Sequence, residues 1–282
     1  MQSVKQRVQS TLKRAGIYER VKASSVYDLY WKMADPRLID RRNKEVDFYQ
    51  DLLGKPRTGD LIFDVGANVG DKTDIFLRLG ARVVAVEPDD RCQEILRGKF
   101  LAYRLARKPV VIVGKAVSDS LRNETMWIDG PGSAVNTLSK KWVETLKAAK
   151  GTFEHGHNGL DFAGRKTVET ITLEQLILIH GIPFFVKIDV EGHEASVVRG
   201  LKHPVPFLSF ELNLPEFTQE GLECVKVLNG LAADGKFNYT GDLQRGMALV
   251  EWIGAQEFSS VLEQCSAGTI EVFWRTPLNR IR

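Results

Sequence analysis

"LIFDVGANVGDKTDIFLRLGARVVAVEPDD", residues 61–90, passes from an apolar run through glycines and a helical pattern into a second apolar run that ends in an acid. Short β-rich runs without polar alternation are strands buried on both faces, and the helix-length spacer between them marks a parallel pair. In an open sheet of this kind the ligand sits beyond the carboxyl ends of the strands, where the first turn lets backbone approach it. Gly66 and Gly70 supply that approach. Glu87, 21 positions after Gly66, ends the second strand, where an acid accepts hydrogen bonds from both hydroxyls of a ribose.

The turn decides which nucleoside carries that ribose. A dinucleotide fingerprint counted from Gly66 requires glycines at 68 and 71, so that a helix N-terminus reaches a pyrophosphate. Asn68 and Asp71 stand there instead, and an acid at the helix entrance repels phosphate. S-adenosylmethionine has no phosphate, and its ammonium and sulfonium charges suit nearby acids such as Asp64 and Asp71. The methyl donor therefore fits better than NAD. An NAD-dependent oxidoreductase is the second reading, and a bare strand-to-helix turn, with Glu87 capping the next helix, is the plain one.

Outward from this stretch the pattern repeats. VVIVG (110–114), FFVKIDV (184–190) and FLSFEL (207–212) are further apolar runs separated by helix-length segments, which indicates a parallel sheet with helices on both faces. MALVEW (247–252) and TIEVFW (269–274) are read as an antiparallel pair that closes it. The glycine- and histidine-bearing stretch 150–166 is read as a loop, with His155 and His157 solvated rather than ligating zinc, because no further Cys or His lies nearby.

Before the first strand, Val4, Val8, Leu12 and Ala15 form one stripe of a basic amphipathic helix. Such a stripe suits docking on the main domain or on another copy of the chain, with an anionic membrane surface as the alternative. Asp35 and Pro36 then cap a helix whose Leu38, Ile39, Arg42, Val46, Tyr49 and Leu53 share a face, and Gly54 stops it.

The formal net charge is only +3. Residues 1–60 hold 13 Lys and Arg against 8 Asp and Glu, and the remainder 26 against 28, which argues against a nucleic-acid binder built on a large basic groove. Three widely spaced cysteines form no C-x-x-C pair, and no apolar run is long enough to span a membrane. Together with the lack of a signal-peptide core, these features lead to the expectation of a cytoplasmic protein with reduced thiols.

Taken in order, FDVGANVG, VEPD, AVSD, SAVNTLS, TLEQLI, KIDVEGHE and SFELN resemble the FkbM family of S-adenosylmethionine-dependent methyltransferases, over about residues 60–275. The resemblance implies a class I, Rossmann-like fold: a seven-stranded, mostly parallel sheet with an antiparallel last strand. On that reading residues 59–282 are the methyltransferase domain and 1–58 a helical extension. The resemblance also implies O-methylation of a hydroxyl on a saccharide, glycan or related natural product, with S-adenosylhomocysteine as coproduct. It assigns Asp64, Gly66, Asn68 and Gly70 to the methionine end of the donor, Glu87 and Pro88 to its ribose, and Ala116, Val117, Ser118 and Asp119 to its adenine. A non-catalytic binding protein on the same scaffold remains the third reading.

A sugar hydroxyl is a poor nucleophile and needs a base or a metal. The cluster Asp189, Glu191, His193 and Glu194 offers either route. His193 titrates near neutrality and is the first candidate base, with Asp189 second. Asp189, Glu191 and Glu194 are the candidate ligands for Mg²⁺, whose presence the residues leave open. Glutamates near a helix N-terminus are also explained by its positive dipole end. Lys187, inside a strand, is expected to pair with a neighbouring acid. Glu211 and Asn213, on the same rim, and Asn136, in a polar turn with Ser133 and Thr137, are the candidate acceptor-binding residues.

Overall fold

The computed structural model describes residues 11–12, 36–54, 58–101, 103, 110–148 and 160–277. The amphipathic stretch 4–15, apart from helical residues 11–12, and the His155/His157 pair lie outside the described residues. Seven strands form the main sheet: β1 (Leu61–Val65), β2 (Arg82–Val86), β3 (Val110–Val113), β7 (Phe185–Ile188), β8 (Phe207–Asn213), β9 (Lys236–Thr240) and β10 (Thr269–Arg275). Their order is β3-β2-β1-β7-β8-β10-β9, and only β10 runs antiparallel to its neighbours. This is the class I methyltransferase arrangement that the family resemblance implies.

One element differs from expectation. The partner of β10 is Lys236–Thr240, whose sequence KFNYT alternates, and not 247–252. The side chain of Asn238 explains why: its Oδ1 accepts from the Leu249 N–H and its Nδ2 donates to the Leu249 carbonyl. The later run is thereby held beside β9 as irregular backbone.

Two apolar layers cover the sheet. One face carries α4 (Lys140–Ala148), α5 (Leu173–His180), α6 (Glu194–Arg199), α7 (Thr218–Leu231) and α8 (Ala255–Gln264), packed through residues such as Leu173, Val197, Leu228 and Phe258. The other carries α1 (Pro36–Leu52), α2 (Asp71–Arg78) and α3 (Asp90–Lys99). Helix α1 is seated by Tyr49, which is fully buried with its ring edge-on to Phe76 at 5.1 Å and tilted on Phe185 at 5.8 Å. Phe48 packs on Phe273, and Gly54 ends the segment with a positive φ, as its position in sequence predicts.

A second sheet of three strands, β4 (Ala116–Val117), β6 (Gly164–Ile171) and β5 (Asn123–Ile128), stands beside the main one. Residues 164–166, read from sequence as part of a loop, belong to β6. No helix among the described residues is long and apolar enough to cross a membrane.

Candidate active site

Strand register brings the site together. Asp64, Lys187 and Ser209 are side-by-side partners across β1, β7 and β8, and Glu211 and Glu271 are partners one step further along on β8 and β10. Side chains alternate along a strand, so all five face the α1 side and converge beyond the carboxyl ends of the parallel strands.

Two cavities open there. The first is lined by Gly66 and Asn68 after β1, Val86, Glu87 and Pro88 at the end of β2, Ala116 and Val117 of β4, and Met126 of β5. The turn 133–138 and the turn Asp189–His193 complete it. Gly66 (φ 81°) and Asn68 (φ 47°) adopt the left-handed conformation, which places backbone against the space. The two Glu87 oxygens accept the N–H groups of Asn68 and Asp89, both at 2.8 Å, which aims the carboxylate. Burial pushes its pKa up to about 7 against those bonds.

The other residues assigned to the donor stand behind this cavity. Asp64 is buried and accepts from the Thr73 hydroxyl at 2.5 Å, its pKa raised to about 6 by burial. Gly70 (φ 79°) precedes α2 and packs so closely on α3 that a Cβ would meet Leu96 at 2.6 Å. Ser118 is fully buried and Asp119 pairs with Arg122 and Arg199.

His193 lines the first cavity. Its Nε2 lies 3.1 Å from the Ser118 hydroxyl, and burial lowers its pKa. Asn136 is on the same side, where its amide donates to Asp89 (3.0 Å) and to the Gly130 carbonyl (2.8 Å). Asn213 accepts from the Thr269 hydroxyl and lines neither cavity.

The second cavity, about 470 Å³, is bounded by α1, the turn 240–244, and residues 269–271 of β10, with Lys187, Asp189 and Glu211 at its base. Asp189 lines both cavities and is the point where they meet. Lys187, 1% exposed, donates to Asp189 Oδ2 at 3.2 Å and lies 3.7 Å from Glu271 Oε1. Burial alone would lower its pKa, but Asp189 and Glu271 hold it above the ordinary lysine value. Glu271 in turn accepts from Ser209 (2.7 Å) and from Tyr49 of α1 (3.3 Å). Sequence reasoning found the Lys187 pair and missed Glu271, whose place beside Glu211 depends on the strand pairing.

The acidic cluster is also different in membership. Asp189, Glu191 and Glu211 each bring a carboxylate oxygen within 4.8 Å of the other two, the set a hard cation would meet. Glu194, named from sequence in that role, points into the protein: it is 2% exposed and its Oε1 accepts from the N–H groups of Val190 and Gly192. It shapes the turn that carries Glu191, whose φ of 55° is held by a 2.7 Å bond from the Thr137 hydroxyl to the Glu191 carbonyl. Burial, and then the charge of Asp189, raise both Glu191 and Glu211, the latter to about 8.

The family profile described as the methyltransferase FkbM domain matches residues 64–235. The chain belongs to the FkbM methyltransferase family. It is an S-adenosylmethionine-dependent methyltransferase, with S-adenosylhomocysteine as the product of the donor. Among curated proteins no relative matches the sequence. Among solved structures it is similar to a TehB-like methyltransferase from Corynebacterium glutamicum: 8% identity, TM-score 0.39, 83% of this chain and 88% of that one. The C-terminal domain of precorrin-6Y C5,15-methyltransferase from Rhodobacter capsulatus is 15% identical, with TM-score 0.37, over 78% of this chain and 80% of that one. The plantazolicin methyltransferase BpumL, solved with S-adenosylhomocysteine, is 8% identical, with TM-score 0.39, over 95% and 99%.

Proposed function

We propose that this methyltransferase acts on a hydroxyl of a saccharide, glycan or related polyol, and that the acceptor enters the second cavity. The observation that carries this reading is that Asp189 lines both cavities, so one residue stands between the donor on one side and the acceptor on the other. Among the described residues, the second cavity is lined mainly by charged and hydroxyl-bearing side chains, with Leu243 and Ile270 the apolar exceptions, which suits a polyol acceptor.

The lining of the first cavity suits the donor chemically. Glu87 provides the ribose acceptor, the Gly66 turn gives bare backbone for the methionine end, and Ala116, Val117 and Met126 offer apolar surface for a ring. When bound, the donor supplies a methyl group on a sulfonium, and alignment with the acceptor oxygen provides most of the acceleration. The new carbon–oxygen bond forms as the carbon–sulfur bond breaks, and the hydroxyl proton goes to a carboxylate. Asp189 is the group placed to receive it, and Glu211, raised by burial, is placed to hydrogen-bond the acceptor beside it. His193, turned towards Ser118, shapes the donor side.

Calorimetric titration with S-adenosylhomocysteine, with NAD as control, tests the donor site; saturable binding of the former alone is expected. A screen of methyl transfer from labelled donor to saccharides then tests the acceptor class. Transfer to amines or phenols with none to any polyol would overturn it.

A further inference from the structure

The two cavities draw on different parts of the chain. Every described residue lining the first lies within 64–235, the span of the family match. Of the described residues lining the second, only Lys72, Lys187, Asp189 and Glu211 do; the others come from α1, the turn 240–244 and β10. Recognition of the donor is thus built into the family core, and recognition of the acceptor into the segments that flank it.

Those segments give the acceptor cavity a charge polarity. On the α1 wall Glu45 sits between two cations, 2.5 Å from Lys72 and 3.7 Å from Arg41. Among the described residues of this wall one carboxylate faces two cations, which leaves an excess positive charge there. At the base the balance is reversed, with Asp189, Glu211 and Glu271 around Lys187. Across from α1, Asp242 accepts from the Gln244 N–H at 2.9 Å and pairs with Arg245 at 3.5 Å, so its charge is compensated locally. Arg41, 70% exposed in its side chain, offers the planar fork that binds carboxylate and phosphate.

An elongated polyol with hydroxyls at one end and an anion at the other matches this polarity. We propose that the acceptor is an acidic saccharide, held by Arg41 and Lys72 through its carboxylate or phosphate while a hydroxyl at its far end reaches Asp189 and Glu211. The proposal rests on the saccharide reading above and narrows it.

The test titrates protein saturated with S-adenosylhomocysteine with glucuronate, glucose 6-phosphate and glucose. At least one charged sugar is expected to bind about tenfold tighter than glucose, the size of one charge-assisted contact, and to weaken as salt is raised. Which of the two binds tighter tells carboxylate from phosphate. In the double variant Arg41→Gln, Lys72→Gln the preference should fall to within about twofold, while unchanged S-adenosylhomocysteine affinity reports an intact fold. Glucose binding as tightly as both charged sugars, or a preference that survives the double variant, overturns the proposal. So does the absence of binding by all three while S-adenosylhomocysteine binds. Failure of S-adenosylhomocysteine itself, seen before any sugar is added, would instead remove the donor-site reading beneath it.

Discussion

A Cβ at position 66 would lie 1.7 Å from the carbonyl oxygen of Asp189. The turn after β1 and the turn after β7 therefore touch through backbone, and the proposed donor cradle is joined to the acid proposed to face the acceptor. Gly66→Ala must push Asp189 away and also hold alanine at a φ of 81°. We expect it to abolish measurable S-adenosylhomocysteine binding and to destabilise the fold by about 2 kcal/mol or more. Calorimetry and thermal unfolding check both; normal affinity would show that the two turns move independently.

Glu87 predicts a pH dependence. Its folded value, about 7, lies above the reference value of 4.5, so between these the folded protein holds a proton that the unfolded chain has released. This group's contribution to the stability of the donor-free protein therefore falls as pH rises through that window. Donor affinity runs the other way, because the ionised carboxylate is the better acceptor for ribose hydroxyls. S-adenosylhomocysteine should bind about tenfold more weakly at pH 6 than on the plateau above pH 8. Glu87→Gln should flatten the profile, and a wild-type profile already flat would remove Glu87 from ribose recognition.

Glu194 separates a structural acid from a reacting one. The Oε1 of a glutamine can accept the same two N–H groups from Val190 and Gly192 without the cost of burying charge, which has raised Glu194 to about 7. Glu194→Gln is expected to melt at or above the wild-type temperature at pH 8 and to keep turnover. Glu194→Ala, which orphans both donors, should lose about 1–3 kcal/mol. A collapse of turnover in the glutamine variant, with melting unchanged, would return Glu194 to the chemistry.

Much of this was legible because strands buried on both faces have no alternation to confuse: LIFDV and RVVAV could be little else. Glu87 and Asp189 were also legible, since acids at the ends of such strands fall on one rim whatever the details. The direction of Glu194 was not, because an acid in the first turn of a helix can face solvent or the preceding loop, and only the conformation at Glu191 and Gly192 decides. The β9 strand was hidden for a related reason. MALVEW is the more apolar run, but the amide of Asn238 reserves its backbone. The acceptor walls were out of reach, because docking of α1 on Phe76 and Phe185 is a tertiary event that leaves no local mark.

The division of labour between His193 and the junction acids gives another expectation. His193 lines the donor cavity and bonds Ser118, so His193→Ala should weaken S-adenosylhomocysteine binding about fivefold, the loss of a contact of ~1 kcal/mol. Asp189→Asn should spare that affinity more and lower kcat by about 10²–10⁴-fold, the range for removal of a proton-transfer group. The reverse pattern, with donor affinity intact in His193→Ala and turnover intact in Asp189→Asn, would make the histidine the base.

The place of β10 has a consequence for biosynthesis. The last strand in the chain is not at the sheet's edge; it is inserted between β8 and β9, and it brings Glu271 beneath Lys187. While the ribosome is still making residues 214–268, β8 presents an unpaired edge and a buried-to-be lysine lacks the acid that reaches it from β10. Parallel pairing of β1, β2, β7 and β8 can proceed, but the acceptor half of the enzyme waits for residue 275 to emerge. A nascent chain stalled before that point would expose an edge open to pairing with its neighbours on the same message.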